Sequence, residues 1–253
     1  MLVFDVGMHN GDDTAYYLSL GHRVVAIEAN PALCDQVRSR FRAEIAAGRL
    51  VVEQVAIAPT TGEAPFFVTV GNSQFSALDR AVASHGGRAI NEIAVRTVAA
   101  SDLFDKHGVP FYLKIDIERG DSVCLDALKD LDPVPRYVSV EAHSLDYLCR
   151  LWVAGYRRFK IIDQLTHNAP RQGTNESAVG RLSQTINHYV ARMRERRSPG
   201  HFPPGSSGPF SDDTPGEWQD LEAVAYDWLH FHTGHSRRGT LNSRSWFDFH
   251  AAF

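Results

Sequence analysis

The sequence predicts one α/β domain over residues 1–253, with a doubly wound, mostly parallel sheet of seven strands. Three observations carry this. Short apolar runs alternate with helical patterns over the first two-thirds of the chain. The runs are almost continuously apolar, as in strands buried on both faces. Several of them end in an acid, a glycine turn or both, where open α/β sheets hold their ligands.

Residues 2–6 form the first strand, followed by a glycine turn between Gly7 and Gly11 and a helix over 14–20, with Asp12 and Asp13 as caps. Residues 23–27 give the second strand. Pro31 suits a helix start, and Leu33, Val37, Phe41 and Ile45 then recur on one face, which predicts one helix to about residue 47. The third strand spans 50–56. Residues 64–70 and 93–98 read as added strands around a polar loop, 71–76. A short helix over 102–107, capped by Ser101, precedes a central strand at 111–117 and a helix at 121–129. A strand at 137–141, a helix at 145–154 and a strand at 156–162 complete the regular part. Residues 163–240 are a long insertion before the last strand, with helices expected at 180–197 and 217–232. The aromatic alternation at 245–251 reads as that last strand, returning to the sheet.

Composition narrows the partners. A net charge of -4 argues against nucleic acid, and Arg192, Arg194, Arg196 and Arg197 read as a solvated helix face. The three cysteines, Cys34, Cys124 and Cys149, lack a paired spacing and suit reduced thiols in a cytoplasmic protein. A strand starting at residue 2 leaves no room for a signal peptide before it, and no apolar run reaches the ~20 residues of a membrane span.

The acids select the ligand. A strand, a glycine turn and a helix N-terminus would cradle a pyrophosphate, but Asp5 at the mouth of that turn would repel one and attract a cation. The glycine spacing, G-x-x-x-G, also departs from the dinucleotide pattern. S-adenosyl-L-methionine carries a sulfonium and an ammonium and no phosphate, so it fits better. Glu28 ends the second strand near the ~20-residue offset of an acid that binds a ribose diol. Gly7, Gly11, Asn30 and, from the polar loop, Gln74–Ser76 complete the expected cofactor site. On the central strands, Asp116 with Glu118 and Glu141 with His143 lie two residues apart, so each pair faces one way if its strand continues. His143 is the expected catalytic base for an acceptor hydroxyl; Asp116 is expected to contact the cofactor's amino group or line the methyl-transfer channel, and Glu118 with Glu141 to orient the acceptor. Asp116, Glu118, Glu141 and His143 could alternatively bind a divalent metal.

The segments DVGMHNGDDT, AIEANP, FYLKIDIERGD and SVEAH resemble the FkbM-type methyltransferases, a branch of the class I S-adenosylmethionine-dependent enzymes. The resemblance covers residues 1–162, and GSSGPF with the WFDFHA tail extends it. It implies the Rossmann-like methyltransferase sheet, a cofactor turn at Asp5, Gly7 and Gly11, a ribose acid at Glu28, and fourth-strand acids at Asp116 and Glu118. It further implies O-methylation of a sugar or natural-product hydroxyl, a small-molecule or glycan acceptor. Met8-His9 and Arg119 depart from the family's usual residues. An NAD-dependent oxidoreductase and a non-catalytic cofactor-binding protein are the alternatives, and Asp5 opposes the first.

Overall fold

A computed structural model describes residues 1–164, 167–169, 206–238 and 247–253. The helix expected at 180–197, its arginines and much of the 163–240 segment lie outside the described residues. The main sheet has seven strands in the order β3-β2-β1-β7-β8-β10-β9. These are β1 (Leu2–Val6), β2 (Arg23–Glu28), β3 (Leu50–Gln54), β7 (Tyr112–Ile115), β8 (Tyr137–Glu141), β9 (Arg158–Asp163) and β10 (Phe247–Ala252). The five strands from β3 to β8 run parallel. β10 lies antiparallel between β8 and β9. The turn between β1 and β2 and the ends of β7 and β8 therefore share one edge, beside the point where strand order reverses.

Buried apolar strand residues explain the sheet. Val3, Phe4, Val25, Ile27, Leu113, Ile115, Val138 and Val140 are each at most 1% exposed. Helices α1 (Asp12–Ser19), α2 (Pro31–Arg40), α3 (Arg42–Ala46), α5 (Ala100–His107), α6 (Asp121–Ala127), α7 (Leu145–Val153) and α8 (Leu221–Arg238) complete the layers. Between them, β4 (Ala56–Ile57), β5 (Gly62–Thr69) and β6 (Ile90–Val98) form a second sheet of three strands, and α4 (Arg80–Ala83) lies in the β5–β6 connection. Cys34, Cys124 and Cys149 are all free thiols. Among the described residues no helix is long and apolar enough to cross a membrane.

Several elements differ from their expected form. Asp12 and Asp13 lie in the first turn of α1 behind Gly11, and Ser101 lies inside α5 behind Ala99, so none of the three caps its helix. The helix after Pro31 breaks at Phe41 (φ -115°, ψ 35°), whose half-turned backbone drives its ring into the core beside the Gly11 turn. The expected third strand divides at Val55, because Ala56 and Ile57 pair with β6 instead of β2. The central strand stops at Ile115, short of the acids. Glu118 (φ 49°) and Arg119 (φ 69°) are then consecutive left-handed residues, so the two-residue alternation assumed for Asp116 and Glu118 does not hold.

Candidate active site

A cavity of about 640 Å³ opens at this sheet edge, within the range of small-molecule sites. Its floor is the first turn. Gly7 adopts φ +80°, and its N–H donates to the Ile27 carbonyl (2.9 Å), tying the end of β1 to the end of β2. A Cβ there would lie 1.8 Å from the Asp116 carbonyl oxygen, so only glycine allows the turn and the β7 end to meet.

One side of the cavity is built around Glu28. Its Oε1 accepts the Asn30 N–H (2.8 Å) and its Oε2 the His9 N–H (3.2 Å). Two backbone donors thus fix the carboxylate while leaving lone pairs for a ligand diol. His9 also bridges to the polar loop through Nε2 and Ser73 Oγ (2.9 Å). Ile57, Phe66, Leu78 and Val82 supply an apolar wall, and Gln74, Phe75 and Ser76 line the cavity beside them. This wall comes from the smaller sheet and the 70–89 connection, which carry no motif.

Below the turn lies Lys114, 3% exposed. Its Nζ reaches Asp5 Oδ1 (3.1 Å), Asp13 Oδ2 (3.4 Å), Asp116 Oδ2 (3.8 Å) and the Gly7 carbonyl (3.1 Å). Burial alone would discharge this ammonium; Asp5, then Asp13 and Asp116, hold its pKa well above the ordinary lysine range. Burial likewise pushes Asp116 up, and lifts Asp13 to about 6 despite Lys114.

The structure corrects several expected contacts. Asp5 is fully buried and does not line the cavity; Lys114 and the Thr14 hydroxyl (2.6 Å) occupy its carboxylate. Asp5 therefore does not itself receive a cationic ligand. Gly11 is also away from the lining, and its small size accommodates Phe41 and Val37, each 3.0 Å from where a Cβ would be. Asn30 caps α2 by accepting the Ala32 N–H (3.0 Å). Gly7, Glu28, Ser76, Asp116 and Glu118 do line the cavity, together with Glu141 and Arg119. His143 does not. Its Nε2 lies 3.1 Å from Glu141 Oε2. Burial opposes its charge, but the Glu141 contact, with Asp121 and Glu118 nearby, raises it to about 9. That shift favours the imidazolium at neutral pH and works against a base role.

Glu118 has the opposite character. Burial, then the charges of Glu141 and Asp116, raise its carboxyl to about 8, against the lowering effect of His143. The turn that presents it is locked from below by Asp121, which accepts the Ile117 N–H (3.0 Å) and the Tyr147 hydroxyl (3.3 Å). The described residues of this site contain no cluster of three or more groups suited to a metal, and the Glu141–His143 contact engages two of the four candidate ligands with each other.

These shifts predict how stability depends on pH. Glu118 keeps in the fold a proton that the unfolded chain releases near 4.5, so its contribution falls as pH rises towards about 8. His143 stabilises below 6.5, and that contribution is lost as pH rises through about 9. Urea midpoints should therefore fall between pH 6.5 and 9, and Glu118→Gln should flatten the part below about pH 8. A midpoint that rises over this window would contradict the assignment.

Sequence reasoning gave no role to Lys114, His9, Gln164 or Ser206, all of which line the cavity. Lys114 had a usable signal, since a lysine between Leu113 and Ile115 in a buried strand demands anions around it. Gln164 and Ser206 had none. Ser206 arrives through a segment whose Ser207 N–H donates to Asp13 Oδ2 (3.2 Å) and whose Phe210 ring stacks on Tyr112 at 4.1 Å. Gln164 is hydrogen-bonded to the buried Asp248 of β10.

The described carboxylates, the glycine turn and the parallel strands that present them lie largely within one matched region. The family model for the methyltransferase FkbM domain matches residues 5–157, from inside β1 to the approach to β9. No curated protein matches the chain. The match takes in well over half of the chain and most of the residues that line the cavity, and on that ground the chain belongs to the FkbM methyltransferase family.

Proposed function

We propose that the protein transfers a methyl group from S-adenosyl-L-methionine to an acceptor hydroxyl. The observation that carries this reading is the sign of the charge at the first turn. Asp12 and Asp13 occupy the first turn of α1 and both line the cavity. They stand where a dinucleotide's pyrophosphate would seek helix N–H groups, so the site disfavours that ligand and suits a cationic one. The phosphate-repelling role expected of Asp5 thus passes to its neighbours.

The residues present fit such a donor. Glu28 would take the ribose hydroxyls, and Ile57, Phe66, Leu78 and Val82 would enclose the adenine. When bound, the donor supplies an electrophilic methyl on sulfur. The acceptor would lie beside Asp116, Glu118 and Glu141, with Gln164 and Ser206, both from the 163–240 insertion of a single domain, next to it. Glu118 takes the role first expected of His143: it lines the cavity, and with its carboxyl near 8 the ionised fraction, which grows as pH rises, accepts the hydroxyl's proton as the methyl leaves sulfur for oxygen. His143 holds Glu141 in place. Alignment of donor and acceptor supplies much of the remaining rate.

Incubation with methyl-labelled S-adenosylmethionine and a panel of hydroxylated compounds, read by mass, tests this directly. The expected result is a gain of one methyl on oxygen, with Glu118→Gln slowing turnover about 10²–10⁴-fold at unchanged donor affinity. Methyl gain on nitrogen or carbon only, or full turnover by Glu118→Gln, would contradict it.

A further inference from the structure

Arg119 is the feature of the cavity that methyl transfer alone does not use. It is exposed, lines the cavity and has no ion pair or hydrogen bond among the described residues. Its backbone is left-handed (φ 69°), directly after another left-handed residue, a conformation unfavourable for a non-glycine residue that concentrates at ligand sites. The other charges around it are accounted for. Lys114 is surrounded by Asp5, Asp13 and Asp116. Glu141 faces the His143 imidazolium. Asp12 pairs with Arg40 at 2.8 Å, away from this turn. Glu118, raised to about 8, is mostly uncharged at neutral pH. Among the described residues, the Arg119 guanidinium is left on the acceptor side with no carboxylate within ion-pair distance, unlike Lys114.

We infer that the acceptor carries an anionic group, a carboxylate or a phosphate monoester, which Arg119 binds through its planar fork of N–H donors. A guanidinium suits both groups, because two parallel N–H bonds meet two oxygens. Arg119 would fix the orientation of the acceptor, with the hydroxyl to be methylated turned towards Glu118. This inference rests on the methyl-transfer reading above.

The test uses the full chain with S-adenosylhomocysteine or labelled S-adenosylmethionine, and glucose, glucuronate and glucose 6-phosphate as probes. Calorimetry on the S-adenosylhomocysteine-loaded protein should show glucuronate or glucose 6-phosphate binding at least tenfold more tightly than glucose; which of the two binds identifies the anion. In a methyl-transfer panel of hydroxy acids, phosphate monoesters and their neutral counterparts, Arg119→Ala should raise KM for the anionic members at least tenfold with kcat little changed. Arg119→Lys should recover part of the loss. Arg119→Gly, which suits the left-handed backbone, should lose binding like Arg119→Ala while folding at least as well as wild type. Equal binding of neutral and anionic probes, no binding of either anion, or an Arg119→Ala enzyme with unchanged KM would overturn the inference. A protein that fails to bind S-adenosylhomocysteine at all would instead sink the methyl-transfer reading, so the two failures are distinct.

Discussion

Lys114→Met is expected to destabilise the protein by about 3–5 kcal/mol, the scale for removing one partner of a buried ion pair. Methionine fills most of the space of the stem but leaves Asp5, 0% exposed, and Asp13, 6% exposed, without their cation. Those carboxyls must then take up protons or the turn must open. The effect should be strongest at high pH, where protonation is least available. Loss of Lys114 also frees Asp116, which lines the cavity 3.8 Å from Nζ, and Asp13, which anchors the Ser207 segment. Urea unfolding at pH 6 and pH 8 checks this: the loss should be larger at pH 8. A variant within 1 kcal/mol of wild type would show that the carboxylates do not depend on the ammonium.

Gly7→Ala is expected to abolish ligand binding, lowering affinity for S-adenosylhomocysteine by at least about 100-fold, roughly 2.7 kcal/mol. Two effects add. Left-handed backbone costs about 1–2 kcal/mol for an alanine. The larger effect is steric, because the new Cβ would sit 1.8 Å from the Asp116 carbonyl oxygen and 2.8 Å from its carbon. Backbone cannot rotate away as a side chain can, so β1 and the β7 end must separate and carry Asp116 with them. Gly21→Ala is the control. Gly21 has the same φ of +80° but no atom within 4 Å of the Cβ position. It should lose only the conformational contribution and keep its ligand affinity. Equal affinity losses in the two variants would show that the close approach at Gly7 is not what shapes the cavity.

The parallel sheet was legible because its strands are nearly uninterrupted apolar runs, and a strand such as 137–141 has no competing reading. The place of Glu28 in the cavity lining was legible for a related reason: an acid closing a short buried strand has few places to go. Asp5 shows the limit of that rule. It also closes a strand, but Lys114 on the neighbouring strand, paired in register with it, captures its charge. Strand order cannot be read from either segment alone, so nothing in the sequence placed those two side by side. His143 is a similar case. The residue type fits a base, but its Nε2 meets Glu141 Oε2, two positions away, and that contact raises its pKa to about 9. The Glu118–Arg119 turn was hidden because non-glycine residues rarely adopt left-handed backbone, and the apolar pattern up to Ile117 suggests a longer strand. The apolar wall from Ile57 and Phe66 belongs to a small separate sheet that carries no ligand motif.

The central claim is that the acid-lined cavity above Gly7 takes a cationic nucleoside donor and not a dinucleotide. Isothermal titration of the wild-type protein with S-adenosylhomocysteine, set beside NADH under the same conditions, tests it most directly. The account predicts micromolar or tighter binding of the first at one site per chain and none of the second, with Glu28→Ala weakening the first at least tenfold. Clear binding of NADH with none of S-adenosylhomocysteine would contradict it.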